Sequence, residues 1–299
     1  MSARGPMGNA LTVARARLTH VTDRVSGRHR MTPGYLVVGT KRGGSTSLAD
    51  WIEEHPLVGP CRVGKGTHYF DIHHHRGRAW YDAQFPTTGE GYALTGESSP
   101  YYMFHPLAAQ RVVAELPQVK VVACLRDPVE RAWSHHAYEV ARGHETESFE
   151  RALELEPERL AGEAERLAAD PSYDAPHWRY HAYLRRGHYA EQLAPYLQGL
   201  GPQQVLVVQS EALFADPAAQ LARVFDFLGL PAHDGGDHRA LNAGRDRSPV
   251  PEAVRERLRA YYAPHDAALY ALPGVDFRWP HPGPAAAPTT AVQARTGAA

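Results

Sequence analysis

Residues 39 to 48 read GTKRGGSTSL, which sets two cations, three glycines and four hydroxyls within ten positions. The apolar run Tyr35-Leu36-Val37-Val38 comes before it. This order predicts a buried strand that leaves through glycines and enters a helix at Ser45 or Thr46. Such a turn gathers unpaired N–H groups at the positive end of a helix dipole, which suits a phosphate. The P-loop spelling GxxxxGK[ST] is absent. Gly39 and Gly44 have its separation, but Ser45 stands where its lysine belongs, and Lys41 and Arg42 precede the glycine pair.

A second stretch with the same kind of chemistry is LRDPVERAWSHH, residues 125 to 136. Arg126 follows an apolar run, Pro128 suits the first residue of a helix, and Asp127 suits its cap. Helical spacing then sets Asp127, Arg131 and Ser134 on one face, with Arg126 reaching from the strand end. A forked, always-charged guanidinium beside a hydroxyl fits a phosphate monoester. The structural alternative is that Arg126 pairs with Asp127 or Glu130 at a helix start. Two other stretches carry less. His73, His74 and His75 are consecutive and cannot all point one way, so a solvated loop is expected there rather than a zinc site. GGSTSL is not a GxSxG nucleophile elbow.

Positioning both stretches requires strands that alternate with helices. The strands read from the sequence are residues 35–38, a second ending near Gly96, Lys120 to Leu125, and 205–209. Between and after them, helices are expected over 46–55, 106–116, from Pro128 onward, over 216–228 and from Pro251. An acidic helical stretch over 147–169, interrupted at Pro157, is expected to be an exposed face or a lid beside the site. The short continuous apolar runs are those of strands buried on both faces, so the fold class expected is a three-layer α/β/α domain with a central parallel sheet. Ligands then bind beyond the carboxyl ends of the strands, where both stretches lie. The domain is expected over residues 33–280, between a flexible Arg-rich arm (1–32) and a flexible Ala/Pro/Thr tail (281–299).

With 32 basic and 33 acidic residues, the formal net charge is −1. No global field draws the chain to nucleic acid or an anionic membrane, so any attraction for anions is local. The two cysteines, Cys61 and Cys124, make neither a disulfide framework nor a metal site, and a reducing, cytoplasmic setting is expected. No apolar run approaches the roughly 20 residues that a membrane span needs.

Taken together and in order, these stretches resemble the sulfotransferases that use PAPS (3'-phosphoadenosine 5'-phosphosulfate). The likeness is to the heparan sulfate type and its bacterial relatives, and it spans residues 35–280. THYFD (67–71), GESSPYY (96–102), HYAEQLAPYL (188–197) and Gly244-Arg245 fall where that family has similar pieces. The resemblance implies a P-loop-like sulfotransferase fold and no metal in the reaction. It also implies transfer of a sulfuryl group from PAPS, with PAP as product, to a hydroxyl of a saccharide, glycolipid or specialised metabolite. By the same resemblance Arg42, Gly43, Gly44, Ser45, Thr46 and Ser47 surround the phosphosulfate, Arg126 and Ser134 hold the 3'-phosphate, and Gly244 and Arg245 complete the donor site.

The chain departs from the family at three points. Arg42 replaces the lysine that contacts the departing oxygen, with Lys41 just before it. Gly66 replaces the glutamate that serves as base, and Ser98 replaces a further lysine. His68 therefore becomes the first candidate for the base, because an imidazole titrates near neutrality; Lys65 and Asp71 follow. His68, Glu97 and Ser98 are the candidate acceptor contacts. The rival readings are a P-loop nucleotide kinase or NTPase, and a nucleotide-binding module that has lost its chemistry. Acceptor identity and oligomeric state are not legible.

Overall fold

Tyr35, Leu36, Val37 and Val38 are all fully buried, and their side chains divide by parity. Leu36 and Val38 enter one hydrophobic core, Tyr35 and Val37 another. That split marks a strand covered on both faces. The computed structural model describes residues 29–64, 66–170, 172–233, 236 and 249–280.

The strands are β1 (Tyr35–Gly39), β2 (Val58–Gly59), β3 (Leu94–Ser98), β4 (Lys120–Leu125) and β5 (Val205–Gln209). They form one sheet in the order β2-β3-β1-β4-β5, and every pairing is parallel. The helices in chain order are α1 (Ser45–Glu53), α2 (Arg78–Asp82), α3 (Ala108–Glu115), α4 (Pro128–Ala141), α5 (Phe149–Leu160) and α6 (Glu163–Ala169). They continue with α7 (Pro176–Tyr180), α8 (Tyr189–Leu200), α9 (Ser210–Ala215), α10 (Pro217–Leu228) and α11 (Glu252–Tyr270). Leu48, Trp51 and Ile52 of α1 and Leu221, Val224 and Phe225 of α10 cover one face of the sheet. Val112 of α3, Leu193 and Tyr196 of α8 and Leu269 of α11 cover the other. The expected three-layer α/β/α arrangement is therefore the observed one.

Parallel pairing aligns the exits. Tyr35 is opposite Lys120 and Gly39 opposite Ala123, so the loop after β1 and the turn after β4 leave the same edge side by side. Asp127 caps α4 by accepting from the backbone N–H groups of Val129 (2.8 Å) and Glu130 (3.2 Å), with Pro128 at the first helical position.

Some expectations change. Strand β2 is two residues long, too short to show a periodicity. The acidic stretch does not break at Pro157: α5 runs on to Leu160, and the break comes at Gly162, which has φ 72° and starts α6. Arg131 and Ser134 lie three residues apart on α4, as expected, but Arg131 does not reach a cleft. It is fully buried, and its guanidinium donates to the Tyr183 carbonyl. Residues 1–28 of the expected arm and 281–299 of the expected tail lie outside the described residues. The described end of the arm is tied down, since Arg30 bridges Thr87 and donates from Nη1 to the Phe85 carbonyl at 2.8 Å.

Candidate active site

The glycine loop is built by close approach to β4. A Cβ added to Gly43 would lie 2.5 Å from the Cys124 carbonyl oxygen, so only glycine fits there. Cys124 Sγ donates back to the Gly43 carbonyl at 2.9 Å, and the Thr40 N–H donates to the Cys124 carbonyl at 2.8 Å. Arg42 and Gly44 have φ 70° and 94°, and α1 starts at once with no side chain capping it. A tight loop feeding an uncapped helix start is an anion cradle. Ser45 and Ser47 are buried, whereas Thr46 is half-buried.

The two cations of the loop part company. Arg42 Nε donates to Ser134 Oγ at 3.0 Å, and its guanidinium lies over the Tyr138 ring, 4.9 Å from the centroid. Burial lowers its pKa. Lys41 instead makes an ion pair with the buried carboxylate of Glu139 and has a second, longer contact of 3.4 Å to the Arg179 carbonyl. Burial pushes the Lys41 amine down to about 7, the nearby Arg186 adds to this, and Glu139 opposes it. Glu139 Oε2 also faces His144 Nδ1 at 2.7 Å. Neither Glu139 nor Tyr138 was a candidate from the sequence; both follow Ser134 on α4, and no motif marks them.

Arg126 is only loosely held. Its Nη2 is 3.7 Å from Glu130 Oε2, and a third of its side chain is exposed. Glu130 has a closer partner in Arg255 Nη1, at 2.5 Å. The pairing expected of a purely structural Arg126 is therefore weak, while its backbone is fixed by the Tyr189 hydroxyl, which donates to the Arg126 carbonyl at 2.8 Å.

On the other side of β1, the turn 66–71 packs against the end of β3. His68 adopts φ 52°, a left-handed conformation that a non-glycine residue rarely takes. Its N–H donates to Ser99 Oγ at 3.1 Å, and its Nδ1 lies 2.9 Å from Asp71 Oδ2. Burial works against protonation of His68, but the charge and hydrogen bond of Asp71 outweigh it, so the imidazole is held above its ordinary value. Asp71 is buried; burial raises its pKa, and the His68 partner more than reverses this. A cleft that Asp71 lines is shared by Tyr101, His105, Leu167, Tyr173 and Asp174.

Glu97 does not face that cleft. It is 1% exposed, and its two oxygens accept from Thr67 N (2.6 Å), Thr67 Oγ1 (2.7 Å), Ser99 Oγ (2.7 Å) and Tyr102 Oη (2.7 Å). It anchors the turn that carries His68. Ser98 is half-buried, and its hydroxyl reaches the Ser45 carbonyl only at 3.5 Å. Lys65, Gly244 and Arg245 lie outside the described residues.

A family model described as "Sulfotransferase domain" matches residues 33–246. The chain belongs to this sulfotransferase family. It is 33% identical over 276 residues to heparan sulfate glucosamine 3-O-sulfotransferase 6 of Mus musculus, covering 85% of this chain and 75% of that protein. Against heparan sulfate glucosamine 3-O-sulfotransferase 3A1 of the same organism it is 30% identical over 93% of this chain and 72% of that one. The crystal structure of a sulfotransferase from Alicyclobacillus acidocaldarius superposes with a TM-score of 0.64 at 29% identity, over 83% of this chain and 98% of that one. The protein is thus a sulfotransferase with the α/β fold of that family. Among the described residues, no helix is long and apolar enough to cross a membrane.

The departures at positions 66 and 98 meet in space. A Cβ at Gly66 would stand 2.1 Å from the Ser98 carbonyl oxygen and 2.5 Å from Ser99 Oγ, and Gly66 has φ 73°. This backbone admits no glutamate there. Gly66 and Ser98 are thus neutral neighbours.

Proposed function

We propose that this sulfotransferase moves the sulfuryl group of PAPS to a hydroxyl of a carbohydrate-like acceptor, with His68 as the general base. The observation that carries the donor half is the Arg42–Ser134 hydrogen bond of 3.0 Å, which joins the glycine loop to the helix after β4. One nucleotide with a phosphate at each end spans two such neighbouring turns. The cradle suits the anion, being closed to any side chain at Gly43 and uncapped at α1.

PAPS supplies the activated sulfuryl group and leaves as PAP. The residues of the chain do the rest. The loop of residues 42–47 holds the phosphosulfate, and the Arg42 guanidinium stabilises the charge that develops on the departing phosphate oxygen. Lys41 adds positive potential from its place beside Glu139. Arg126, partly exposed and loosely paired, takes the 3'-phosphate with Ser134, and Gly244 and Arg245 belong to the same donor site by family resemblance. Asp71 accepts from His68 Nδ1–H, which fixes the tautomer and leaves Nε2 to take the acceptor's proton. No metal enters this scheme.

The acceptor reading rests on the saccharide-modifying relatives and on the cleft that Asp71, the partner of His68, lines together with Tyr101 and Tyr173. A reducing, cytoplasmic setting is part of the proposal, supported by two buried free thiols, Cys61 and Cys124; cell fractionation that found the protein in an oxidising compartment would count against it. The deciding experiment incubates the protein with sulfur-labelled PAPS and a panel of saccharides, glycolipids and cell extract, alongside calorimetry with PAP. Label appearing on an acceptor hydroxyl is the expected result. Absence of PAP binding at high micromolar concentration would remove the donor assignment.

A further inference from the structure

Away from the donor site, His188 and Glu191 stand three residues apart at the start of α8, and His265 of α11 lies against them. Their ligand atoms all fall within 4.8 Å of one another. His188 Nδ1 and His265 Nδ1 face the same carboxylate oxygen, Glu191 Oε1, at 3.5 and 4.0 Å. The first of these nitrogens is buried and makes no hydrogen bond, although His188 as a residue is only 6% exposed. A buried donor or acceptor left unpaired is costly, so its position asks for an explanation.

We infer that His188, Glu191 and His265 form a binding site for a divalent transition-metal ion of the zinc class, which fastens the start of α8 to α11. The donor set of two imidazoles and one carboxylate suits such an ion and leaves further positions to water. The two nitrogen–carboxylate separations, 3.5 and 4.0 Å, are close to those that bonds of roughly 2.0–2.2 Å impose around a tetrahedral centre. The outer contacts are also in place. His188 Nε2 meets the Tyr261 hydroxyl at 2.8 Å, which orients the ring and directs Nδ1 to the ion. Arg185 Nη2 holds the other carboxylate oxygen, Oε2, at 3.3 Å, and so leaves Oε1 for coordination.

One movement is required. The two imidazoles are stacked, with centroids 3.6 Å apart and planes 11° from parallel. In-plane lone pairs cannot converge from such a stack, so one ring must turn. His188 is held by Tyr261, whereas His265 retains 27% side-chain exposure and is the ring able to rotate. The site is distinct from the sulfuryl-transfer chemistry, and its test does not depend on it.

The test is calorimetric titration of the full chain with zinc chloride near pH 7.5, repeated on His265→Ala and Glu191→Ala, with thermal melts at each zinc concentration. Both replaced side chains are partly exposed, so both variants are expected to fold. The expected result is one zinc per chain, a rise in Tm with zinc, and at least a tenfold loss of affinity in each variant. Absence of saturable binding at about 100 μM zinc would overturn the inference, as would binding that either substitution leaves unchanged. The latter result would assign the ion to other histidines of the chain.

Discussion

Arg42 and Ser134 are 92 residues apart in the chain, yet Arg42 Nε donates to Ser134 Oγ across 3.0 Å. Strand adjacency explains the meeting. Residues β1 and β4 bring to one sheet edge are followed by a loop in one case and a helix in the other, and the hydrogen bond closes the gap.

If this contact organises the donor site, Ser134→Ala weakens PAP binding by roughly 1.5–3 kcal/mol, the range for a hydrogen bond to a charged group. That is about ten- to a hundredfold in affinity. Arg126→Ala is expected to cost at least as much, because it removes the exposed guanidinium assigned to the 3'-phosphate. Calorimetry with PAP measures both, and circular dichroism checks that the fold survives. Unchanged affinity in both variants would remove these residues from the donor site.

The His68–Asp71 pair predicts a pH profile. The base must be neutral, and Asp71 holds His68 above the ordinary value near 6.5. Turnover should therefore rise with pH through a pKa above 6.5. In Asp71→Asn the partner charge is gone while burial remains, so the limb should move to lower pH and the maximal rate should fall. His68→Ala should retain PAP binding and lose roughly 10²- to 10⁴-fold in turnover. A profile that Asp71→Asn leaves in place would assign the base elsewhere.

Much of this architecture is legible in the residues because the signals are local. A continuous apolar run such as Lys120 to Leu125, closed by Asp127 and Pro128, states both a buried strand and the next helix start. What is not legible depends on contacts between distant segments. Glu139 becomes the partner of Lys41 only because α4 passes over the glycine loop, and nothing in its own neighbourhood announces this. Arg131 has the spacing of a cleft residue, yet the Tyr183 carbonyl draws it into the interior. Pro157 reads as a helix breaker, but it lies near the end of α5, and the following glycine at 162 makes the turn instead.

Glu139 gives a stability prediction. In Glu139→Gln the partly buried Lys41 amine loses its carboxylate; breaking a fully buried pair costs about 3–5 kcal/mol, and the partial exposure of Lys41 should bring the loss below that. The defect should shrink as pH rises. Burial lowers the folded pKa of Lys41 to about 7, below that of an unfolded lysine near 10.4, so between these values the unfolded chain binds more protons. Stability must increase with pH in that window in both proteins, and because removal of Glu139 pushes the folded value lower still, the extra defect of the variant shrinks with rising pH only below about pH 7 and is constant above it. Urea unfolding of both proteins at about pH 5 and about pH 8 measures the difference; equal destabilisation at both would show that Lys41 is not the group responsible.

Gly66 yields the strongest prediction about the departures from the family. Restoring the family's carboxylate with Gly66→Glu would place a Cβ 2.1 Å from the Ser98 carbonyl, at a residue whose φ is 73°. The obstacle is backbone, which cannot swing aside as a flexible side chain can, so the turn that carries His68 must shift. The variant should lose at least 2–3 kcal/mol of stability, in the range of overpacking combined with strain, and should lose turnover as well. Gly66→Ala should show most of the stability loss, because the clash begins at Cβ. Changing Ser98→Lys together with Gly66→Glu restores both charges but does not relieve the carbonyl contact, so the double variant should be no more active than the single one. Recovery of activity above the parent in either variant would show that the turn can open to admit a carboxylate, and that His68 is then not needed as the base.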